Sequence, residues 1–421
     1  MSDEVLELAE KAWRGEVPAQ NLTSITGRLS QIAEGLAFVH SFANVTAFDT
    51  DEGLVLVDTG SPMFARAVHD AIREWTGSPL HTAIYTHGHI DHTFGVPLFE
   101  EEVSDGGSPA PRVVAHAGVP RRFDRYRLTA GYNTAINRRQ FGARDFEWPT
   151  EYRYPDETYH RRLDLEVGGV GFELHHAKGE TDDHTWVWVP SRKVLCTGDF
   201  FVWVSPNAGN PQKVQRYPKD WAIALREMTQ LGAEILLPGH GPPILGASRI
   251  VQALNETAEM LESLHDQTLS GMNRGARLDE VIRSVRAPAH LLKRPFLKPI
   301  YDEPEFVVRS VWRLYGGWFD GNPASLKPAA EAEAAGEIAA LAGGAHRLSD
   351  RALELAGQGR LRLAGHLAEL AALAAPDDSG VHAVRAKVYR MRVSEEQSTM
   401  ARGIFSWAAS ESENRVEGER G

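Results

Sequence analysis

The sequence predicts an α/β region followed by an all-helical region, and three observations carry this prediction. Up to about residue 248, short runs rich in β-branched and aromatic residues alternate with stretches of helical periodicity. Polar residues stand just past the ends of these runs, where a layered α/β fold places its chemistry. From about residue 323 to 408 the chain is rich in alanine and leucine at helical spacing, which is typical of a compact helical bundle.

The first β-rich run and the stretch after it show the alternation most clearly. Residues 53–58 form a short apolar run that ends in the carboxylate of Asp58. A helix is predicted to follow from Phe64 to Trp75, because apolar residues recur there at helical spacing. Later strands are predicted at residues 112–115, 171–176, 186–189, 194–197 and 234–237.

The character of the chain changes after residue 248. A long amphipathic helix is predicted over 250–264 and a proline-rich connector over 287–304. Glycine pairs and a proline then divide the alanine-rich part into antiparallel helices. We therefore predict an α/β domain that carries the candidate site at 1–248, a helical domain at 249–408 and a charged, disordered tail at 409–421.

Composition and charge argue against several classes of protein. The chain carries 45 Lys and Arg against 57 Asp and Glu, a net charge of −12, so neither nucleic acid nor an anionic membrane is the expected partner. No run of 18 apolar residues is present, so no membrane insertion is expected. The acidic first residues lack an apolar leader, which favours a cytoplasmic protein. The single cysteine, Cys196, lies in an apolar run and is interpreted as a small core residue.

The segment THGHIDH at residues 86–92 is the most informative part of the sequence. It places His87, His89, Asp91 and His92 in a short loop directly after an apolar strand. Such a loop can aim four ligands at one point, and imidazole together with carboxylate suits zinc. Two ligand pairs this close suit two ions better than one. A polar loop of structurally satisfied histidines is the alternative, but it does not require so demanding a pattern.

Three further segments share one form: a strand, a glycine, and then an acidic residue or a histidine. They end in Glu180, Asp199 and His240. Glycine lets the backbone turn sharply, so the next side chain points back over the sheet edge. Each segment alone is most simply an ordinary turn. Their order after the histidine motif predicts that they complete one metal site.

This ordered set resembles the metallo-β-lactamase superfamily, whose fold is an αββα sandwich with metal ions at one edge. The resemblance implies two Zn²⁺ ions per chain and two sets of ligands with a shared bridge. The sets are His87, His89 and Glu180 for the first ion, Asp91, His92 and His240 for the second, and Asp199 between them. Asp58 matches the aspartate that precedes the histidine motif in this superfamily. That aspartate usually orients the histidine loop without binding a metal ion itself.

Two features are similar to the alkylsulfatase branch of this superfamily. Most of the superfamily has histidine where this chain has Glu180, and glutamate there is similar to alkylsulfatases. The aromatic and arginine-rich stretch at 304–323 resembles the start of the alkylsulfatase dimerisation domain. This second likeness implies a homodimer formed through the C-terminal helical domain. Residues 137–142 also resemble a segment of those enzymes, although Phe141 lacks the hydroxyl that often stands near the sulfate there.

The resemblance implies a binuclear zinc hydrolase that cleaves alkyl sulfate esters to alcohol and sulfate with metal-activated water. Asp91 and Asp199 are the candidates for holding or accepting the proton of that water. A hydrolase of another small ester, such as a lactone, thioester or phosphodiester, remains the alternative. Sulfate also needs donors from the protein, and each candidate could instead be a solvated loop residue. The candidates are Asn207, Asn210, Lys213, Arg216, Arg138 and Arg139.

Overall fold

A computed structural model of the chain describes residues 3–23, 25–106 and 109–418. Within these residues the α/β part contains two β-sheets. The seven-stranded sheet has its strands in chain order: β1 (Arg28–Ala33), β2 (Leu36–His40), β3 (Val45–Thr50), β4 (Gly53–Val57), β5 (Leu80–Ile84), β6 (Arg112–His116) and β7 (Glu157–Tyr159). The six-stranded sheet is built from β8 (Arg162–Val167), β9 (Val170–His176), β10 (Thr185–Val189), β11 (Val194–Val202), β12 (Ile235–His240) and β13 (Ile244–Leu245). Its spatial order is β13-β12-β11-β10-β9-β8.

The two sheets face each other across a shared apolar core. In β4, Val55 contributes to this core, whereas its neighbour Leu54 contributes to the core on the opposite face of the sheet. Phe48 of the first sheet packs edge-on against Phe172 of the second, with ring centroids 5.1 Å apart. Successive side chains alternate between the two faces of a strand, so a strand covered on both faces is apolar throughout. Cys196 lies in the core between the sheets, as predicted.

Helices cover the outer face of each sheet, and the fold is an αββα sandwich followed by helices, as predicted. The helices up to residue 317 are α1 (Glu4–Trp13), α2 (Ala65–Trp75), α3 (Val96–Gly106), α4 (Val119–Leu128), α5 (Ala130–Phe141), α6 (Pro218–Met228), α7 (Ala247–Asn273), α8 (Leu278–Ser284) and α9 (Pro304–Gly316). Ile72 of α2 and Phe99 of α3 lie in the core outside the first sheet. Trp221 of α6 and Leu254 of α7 lie in the core outside the second.

The chain divides into two compact units at boundaries that differ from the one predicted at residue 248. The first unit comprises Met1–Ala130 and Pro149–Gly317, and the second comprises Gly131–Trp148 and Trp318–Gly421. The helices α7 and α9 belong to the first unit, because their apolar faces share one core with the second sheet. Helical periodicity identifies an apolar face but not the neighbour that covers it, so the sequence assigned these helices to the helical domain.

The second unit is helical. It contains most of α5 and the helices α10 (Pro323–Leu326), α11 (Glu331–Ala342), α12 (Ala345–Gly357), α13 (Leu361–Ala374), α14 (Ser379–Glu395) and α15 (Thr399–Gly418). Its apolar clusters are small and rich in alanine, and Leu355, Ala364 and Val388 lie together in one of them. Among the described helices of the whole chain, none combines the length and hydropathy that crossing a bilayer requires.

The end of the second unit differs from the disordered tail predicted at 409–421. The helix α15 continues through Gly418, and residues 419–421 lie outside the described part of the chain. Arg385 of α14 donates to the Ala408 carbonyl at 2.6 Å and to the Ser412 hydroxyl at 2.8 Å. These contacts tie α15 to its neighbour, which a low apolar content in the sequence does not reveal.

Candidate metal centre

The carboxyl ends of parallel strands bring the candidate ligands to one edge of the sandwich. The strands β4 and β5 are parallel, and Asp58 follows the first while residues 86–92 follow the second. The strands β11 and β12 are parallel in the other sheet and carry Asp199 and His240. Polar residues at the carboxyl ends of neighbouring parallel strands share one crevice, so segments distant in sequence meet there.

Two glycines allow the Asp199 carboxylate to approach the other ligands. The sequence predicts Asp199 beyond a strand that ends at residue 197, but β11 continues to Val202 with an irregular register around Gly198. Gly198 has a φ of +50°, and a Cβ there would lie 2.8 Å from His184 Nε2. A Cβ on Gly239 would lie 2.1 Å from Asp199 Oδ1. Glycine is therefore required at both positions for this arrangement.

Two groups of nitrogen and oxygen donors converge at this edge. The first is His87, His89 and Asp199, and the second is Asp91, His92 and His240; the ligand atoms within each group lie within 4.8 Å of one another. Asp199 Oδ2 is 3.8 Å from His87 Nε2 and 3.4 Å from His240 Nε2, which places Asp199 between the groups. Glu180 lies beside the first group, with Oε1 3.6 Å from His89 Nδ1. The structure thus brings all seven predicted ligand residues together.

The histidines of the second group are oriented through their other ring nitrogen. His92 Nδ1 lies 2.7 Å from Asp58 Oδ2, and His240 Nδ1 contacts the Phe42 carbonyl oxygen. Because these oxygens can only accept, each Nδ1 donates and each Nε2 faces Asp199. A histidine that donates one nitrogen to an oxygen and presents the other to a shared point has the arrangement of a metal ligand.

Buried polar atoms without partners provide a test of whether this donor set fits a metal ion. Among the described residues, His92 Nε2 and Asp199 Oδ1 are buried and have no hydrogen-bond partner. They lie 3.5 Å apart, whereas a charge-assisted N–H···O hydrogen bond is about 2.7–2.9 Å long. A cation between the two atoms would satisfy both. Imidazole nitrogen with carboxylate oxygen is a donor set that suits zinc, so these residues fit the Zn²⁺ ions that the resemblance implies.

The electrostatics of the two groups differ. Burial lowers the pKa of His87 and of His89 well below the usual range. Burial acts the same way on His92 and His240, but neighbouring carboxylates outweigh it, holding the pKa of His92 well above its usual range and raising that of His240 to about 9. The two imidazoles of the first group are therefore neutral, the form that binds metal. The second attracts positive charge, which a cation would supply.

Four of the predicted anion contacts lie on the chain after β11, and two of them, Asn207 and Arg216, contact Glu180. Asn207 donates to Glu180 Oε1 at 2.5 Å, and Arg216 donates to the Glu180 carbonyl at 2.7 Å and to Oε1 at 3.3 Å. Asn210 donates to Asn207 Oδ1 at 3.3 Å. Burial, followed by the charge of Arg216, lowers the pKa of Lys213 to about 8. These residues thus form a polar network around Glu180.

The other two predicted anion contacts, Arg138 and Arg139, lie on α5 in the second unit. There Arg138 donates to the Phe146 carbonyl at 2.7 Å. A contact with sulfate stays a prediction for all six residues.

The sequence reasoning missed Asp183, which contacts the histidine loop. Asp183 Oδ2 accepts from the Gly88 N–H at 3.3 Å and from Arg122 Nε at 2.6 Å, which fixes the histidine loop from one side. His184 Nε2 accepts from the Asp199 N–H at 3.1 Å. The sequence feature that could have identified Asp183 is the polar run after Glu180, which leads directly into the buried strand β10. Consecutive polar residues before a buried strand need partners, and here the ligand loops provide them.

Comparison with protein families identifies both parts of the chain. Residues 40–240 match the metallo-beta-lactamase superfamily, and residues 277–415 match the family described as alkyl sulfatase dimerisation. Residues 40–240 therefore carry the sequence features of the metallo-beta-lactamase superfamily. The helical module that follows the sandwich matches alkylsulfatases, and the relatives of the chain include alkylsulfatases as well. The resemblance found in the sequence is confirmed.

Individual relatives point to the alkylsulfatase branch. A linear primary-alkylsulfatase from Pseudomonas sp. is 27% identical over 395 residues, covering 88% of this chain and 74% of that protein. An (R)-specific secondary-alkylsulfatase from Pseudomonas sp. is 25% identical over 401 residues, covering 88% of this chain and 60% of that protein. A solved stereoselective inverting sec-alkylsulfatase from Pseudomonas sp. superposes with a TM-score of 0.83 at 24% identity, over 92% of this chain and 66% of that one. The superposition supports the fold, and the chain spans only part of each relative.

Proposed function

We propose that this protein is a binuclear zinc hydrolase that cleaves alkyl sulfate esters to alcohol and sulfate. One observation carries the proposal: imidazole nitrogens and carboxylate oxygens converge in two groups around Asp199, with the buried His92 Nε2 and Asp199 Oδ1 unpartnered among the described residues. The names of the alkylsulfatase relatives support the substrate class. The match of residues 277–415 to the alkyl sulfatase dimerisation family supports it further.

The proposed ligands divide between the two ions as the resemblance implies. His87, His89 and Glu180 would hold the first ion, Asp91, His92 and His240 the second, and Asp199 both. When bound, two such ions stabilise developing negative charge and lower the pKa of water toward about 7. Asp91 and Asp199 would hold or accept the proton of the attacking water through their carboxylate oxygens. Asp58 would keep His92 in the tautomer that presents Nε2 to the site.

An anionic ester must approach a chain whose net charge is −12, so the site needs local positive charge. Lys213 and Arg216 would supply it, together with the amides of Asn207 and Asn210, while Arg138 and Arg139 remain further candidates. Asn207 and Arg216 already donate to Glu180, so they would have to serve this carboxylate and the sulfate together. This double role is possible because guanidinium has five N–H donors and a primary amide has two.

We also propose a homodimer formed through the helical module. The match of residues 277–415 to the alkyl sulfatase dimerisation family supports it. Trp318 and Leu326 remain exposed in the second unit, and exposed large apolar side chains are common at protein interfaces. Light scattering should give twice the mass of the chain, whereas a monomer at all concentrations would contradict the proposal. A cytoplasmic location stays a separate prediction from the sequence.

The function is tested by supplying the purified full chain with Zn²⁺ and measuring sulfate release from dodecyl sulfate. A lactone, a thioester and bis-nitrophenyl phosphate are assayed in parallel. We expect sulfate release with two Zn²⁺ per chain, and a loss of at least about 100-fold in His92→Ala, because an unsupported ion cannot activate water. Preferred turnover of one of the other esters would instead favour the alternative hydrolase.

The matched control is His290→Ala. His290 is an exposed histidine that pairs with Glu259, and its substitution should leave sulfate release unchanged. Full sulfate release by His92→Ala would contradict the assigned ligand set. A chain that binds iron with redox activity, and releases no sulfate, would contradict the proposed class of reaction.

A further inference from the structure

The loop at residues 205–210, which follows β11, is fastened to a segment almost a hundred residues later in the chain. The Ser205 N–H donates to the Lys298 carbonyl at 2.9 Å. At the other end of the loop, Asp302 Oδ2 accepts from the N–H groups of Gly209 at 2.5 Å and Asn210 at 3.2 Å. The same loop carries Asn207, whose amide donates to Glu180 at the candidate metal centre. The loop therefore connects Asp302 with the centre.

Asp302 is a fully buried carboxylate whose partners are backbone groups. Its Oδ1 accepts from the Glu303 N–H at 2.7 Å, so three N–H groups point at one side chain. Burial raises the pKa of Asp302 to about 6. A buried carboxylate is costly unless its hydrogen bonds are well made, and removing one partner of such a group is strongly destabilising. Two of these donors, the N–H groups of Gly209 and Asn210, belong to the loop, so a single buried carboxylate holds the loop at two adjacent residues.

The backbone of the loop is in a conformation that needs this support. Asn210 has a φ of +25°, which lies in the left-handed region that residues other than glycine seldom adopt. Gly209 lies so close to the first turn of α9 that a Cβ would be 2.4 Å from the Phe306 carbonyl carbon. Asn210 Nδ2 donates to Asn207 Oδ1 at 3.3 Å. Asp302 thus binds the Asn210 backbone, and the Asn210 side chain in turn binds the Asn207 amide.

We propose that Asp302 is a positioning residue for the metal centre, acting through Asn210 and Asn207 on the Glu180 carboxylate. The proposal rests on the proposed function, because Glu180 is a metal ligand only there. Asn207 and Glu180 are both buried, so their 2.5 Å hydrogen bond fixes the orientation of the carboxylate without competition from bulk water. The segment that carries Asp302 lies within the 277–415 match yet belongs to the first compact unit. Part of the dimerisation module thus completes the site of the sandwich.

The test is a double-variant cycle on Zn²⁺ affinity, measured by competition with a chromophoric chelator on the full chain. The variants are Asp302→Asn, Asn207→Ala and the two combined. Asp302→Asn keeps the shape of the side chain but turns an NH₂ group toward backbone N–H donors. Each single variant should weaken the binding of one Zn²⁺ by roughly 10–100-fold. The double variant should be no weaker than the weaker single variant, because both changes act on one contact.

A second readout separates positioning from simple loss of stability. With Co²⁺ in place of Zn²⁺, the visible absorption of one ion should shift in the Asp302→Asn and Asn207→Ala variants, because the spectrum reports ligand geometry. Val311→Ala is the matched control, since Val311 is a buried residue further along α9. It should lower the unfolding temperature while leaving the Co²⁺ spectrum and the Zn²⁺ affinity unchanged.

Wild-type Zn²⁺ affinity in Asp302→Asn, or additive effects in the double variant, would overturn the proposal. If Asp302→Asn does not fold, Asn210→Ala takes its place in the same cycle with the same expectation. A wild-type chain that binds Zn²⁺ and shows the coupling but releases no sulfate would contradict the proposed function alone.

Discussion

The sheet edge of the first compact unit and the apolar clusters of the second bury different kinds of side chain. At the sheet edge of the first unit, His87, His92, Glu180 and Asp199 are each at most 4% exposed, and their polar atoms face one another. The clusters of the helical unit consist of alanine, leucine and valine. A buried polar centre depends on the partner of every atom, because an unpaired group at low dielectric is costly. An apolar cluster depends mainly on filled volume.

This difference separates what each unit contributes. Changes at the sheet edge should alter ligand affinity through specific hydrogen bonds, even where the volume of the side chain is conserved. Changes in the helical unit should alter its stability through lost volume or altered backbone freedom, with no effect on the metal centre. Substitutions in each unit therefore test whether metal affinity and stability depend on different features of the chain.

The largest effect is expected for Leu355→Ala in α12. Leu355 is buried in the cluster with Ala364 and Val388, and truncating it leaves a cavity in a core that is already small. The free energy of unfolding of the helical unit should fall by about 2–5 kcal/mol. Chemical denaturation followed by circular dichroism measures this loss, and the Zn²⁺ content should stay at the wild-type value.

Leu341→Ala is the matched control for this prediction. Leu341 is 89% exposed on α11, so its truncation removes little buried surface. The expected change is within about 0.5 kcal/mol. Equal losses in the two variants would mean that burial does not decide the stability of this unit. Loss of Zn²⁺ from Leu355→Ala would mean that the two units do not separate as described.

The next effect is expected for Asp58→Asn at the sheet edge. Asp58 accepts from the Thr86 N–H at 2.7 Å, from the Thr86 hydroxyl at 2.8 Å and from His92 Nδ1 at 2.7 Å. An amide of the same shape offers one acceptor oxygen instead of two, so one of these contacts becomes a repulsion between donors. Zn²⁺ affinity should fall by roughly 10–100-fold, which corresponds to about 1.4–2.7 kcal/mol.

The control for this variant is Asp164→Asn, which changes an exposed carboxylate paired with Arg162 on β8. Its Zn²⁺ affinity, measured by chelator competition, should equal that of the wild type. The prediction for Asp58 would be wrong if both variants bound Zn²⁺ equally well. It would also be wrong if Asp58→Asn lowered the stability of the helical unit to the same extent as its metal affinity.

The sequence predicts the candidate ligands of the centre because the sequence patterns that mark them are local. His87, His89, Asp91 and His92 lie in one loop, and Glu180, Asp199 and His240 each follow a glycine at or near a strand end. The sandwich could be predicted for the same reason, since alternation within a strand reports burial on its two faces. Resemblance to a known superfamily then supplied the order in which these segments meet.

The parts that could not be predicted depend on contacts between distant residues. Asp302 contacts Gly209 across 93 positions of sequence, and nothing near either residue marks the pairing. The sequence predicts α7 and α9 in the helical domain, whereas in the structure their apolar faces share a core with the second sheet. Helical periodicity marks an apolar face but does not indicate which element covers it. Asp199 was predicted in a loop, because a strand that continues through Gly198 with a positive φ has no simple periodicity.

The smallest effect is expected for Gly336→Ala in α11. A Cβ at Gly336 would meet nothing within 4 Å, and the residue lies inside the helix with ordinary φ. Alanine loses less conformational freedom than glycine on folding, so the helical unit should gain roughly 0.4–1 kcal/mol. Gly343 ends the same helix with a φ of +88°, so Gly343→Ala should instead cost about 1–2 kcal/mol. Chemical denaturation of both variants measures whether the free energy of unfolding rises or falls in each. If the free energy of unfolding changed in the same direction in both variants, the difference in φ between Gly336 and Gly343 would not explain their effects on stability.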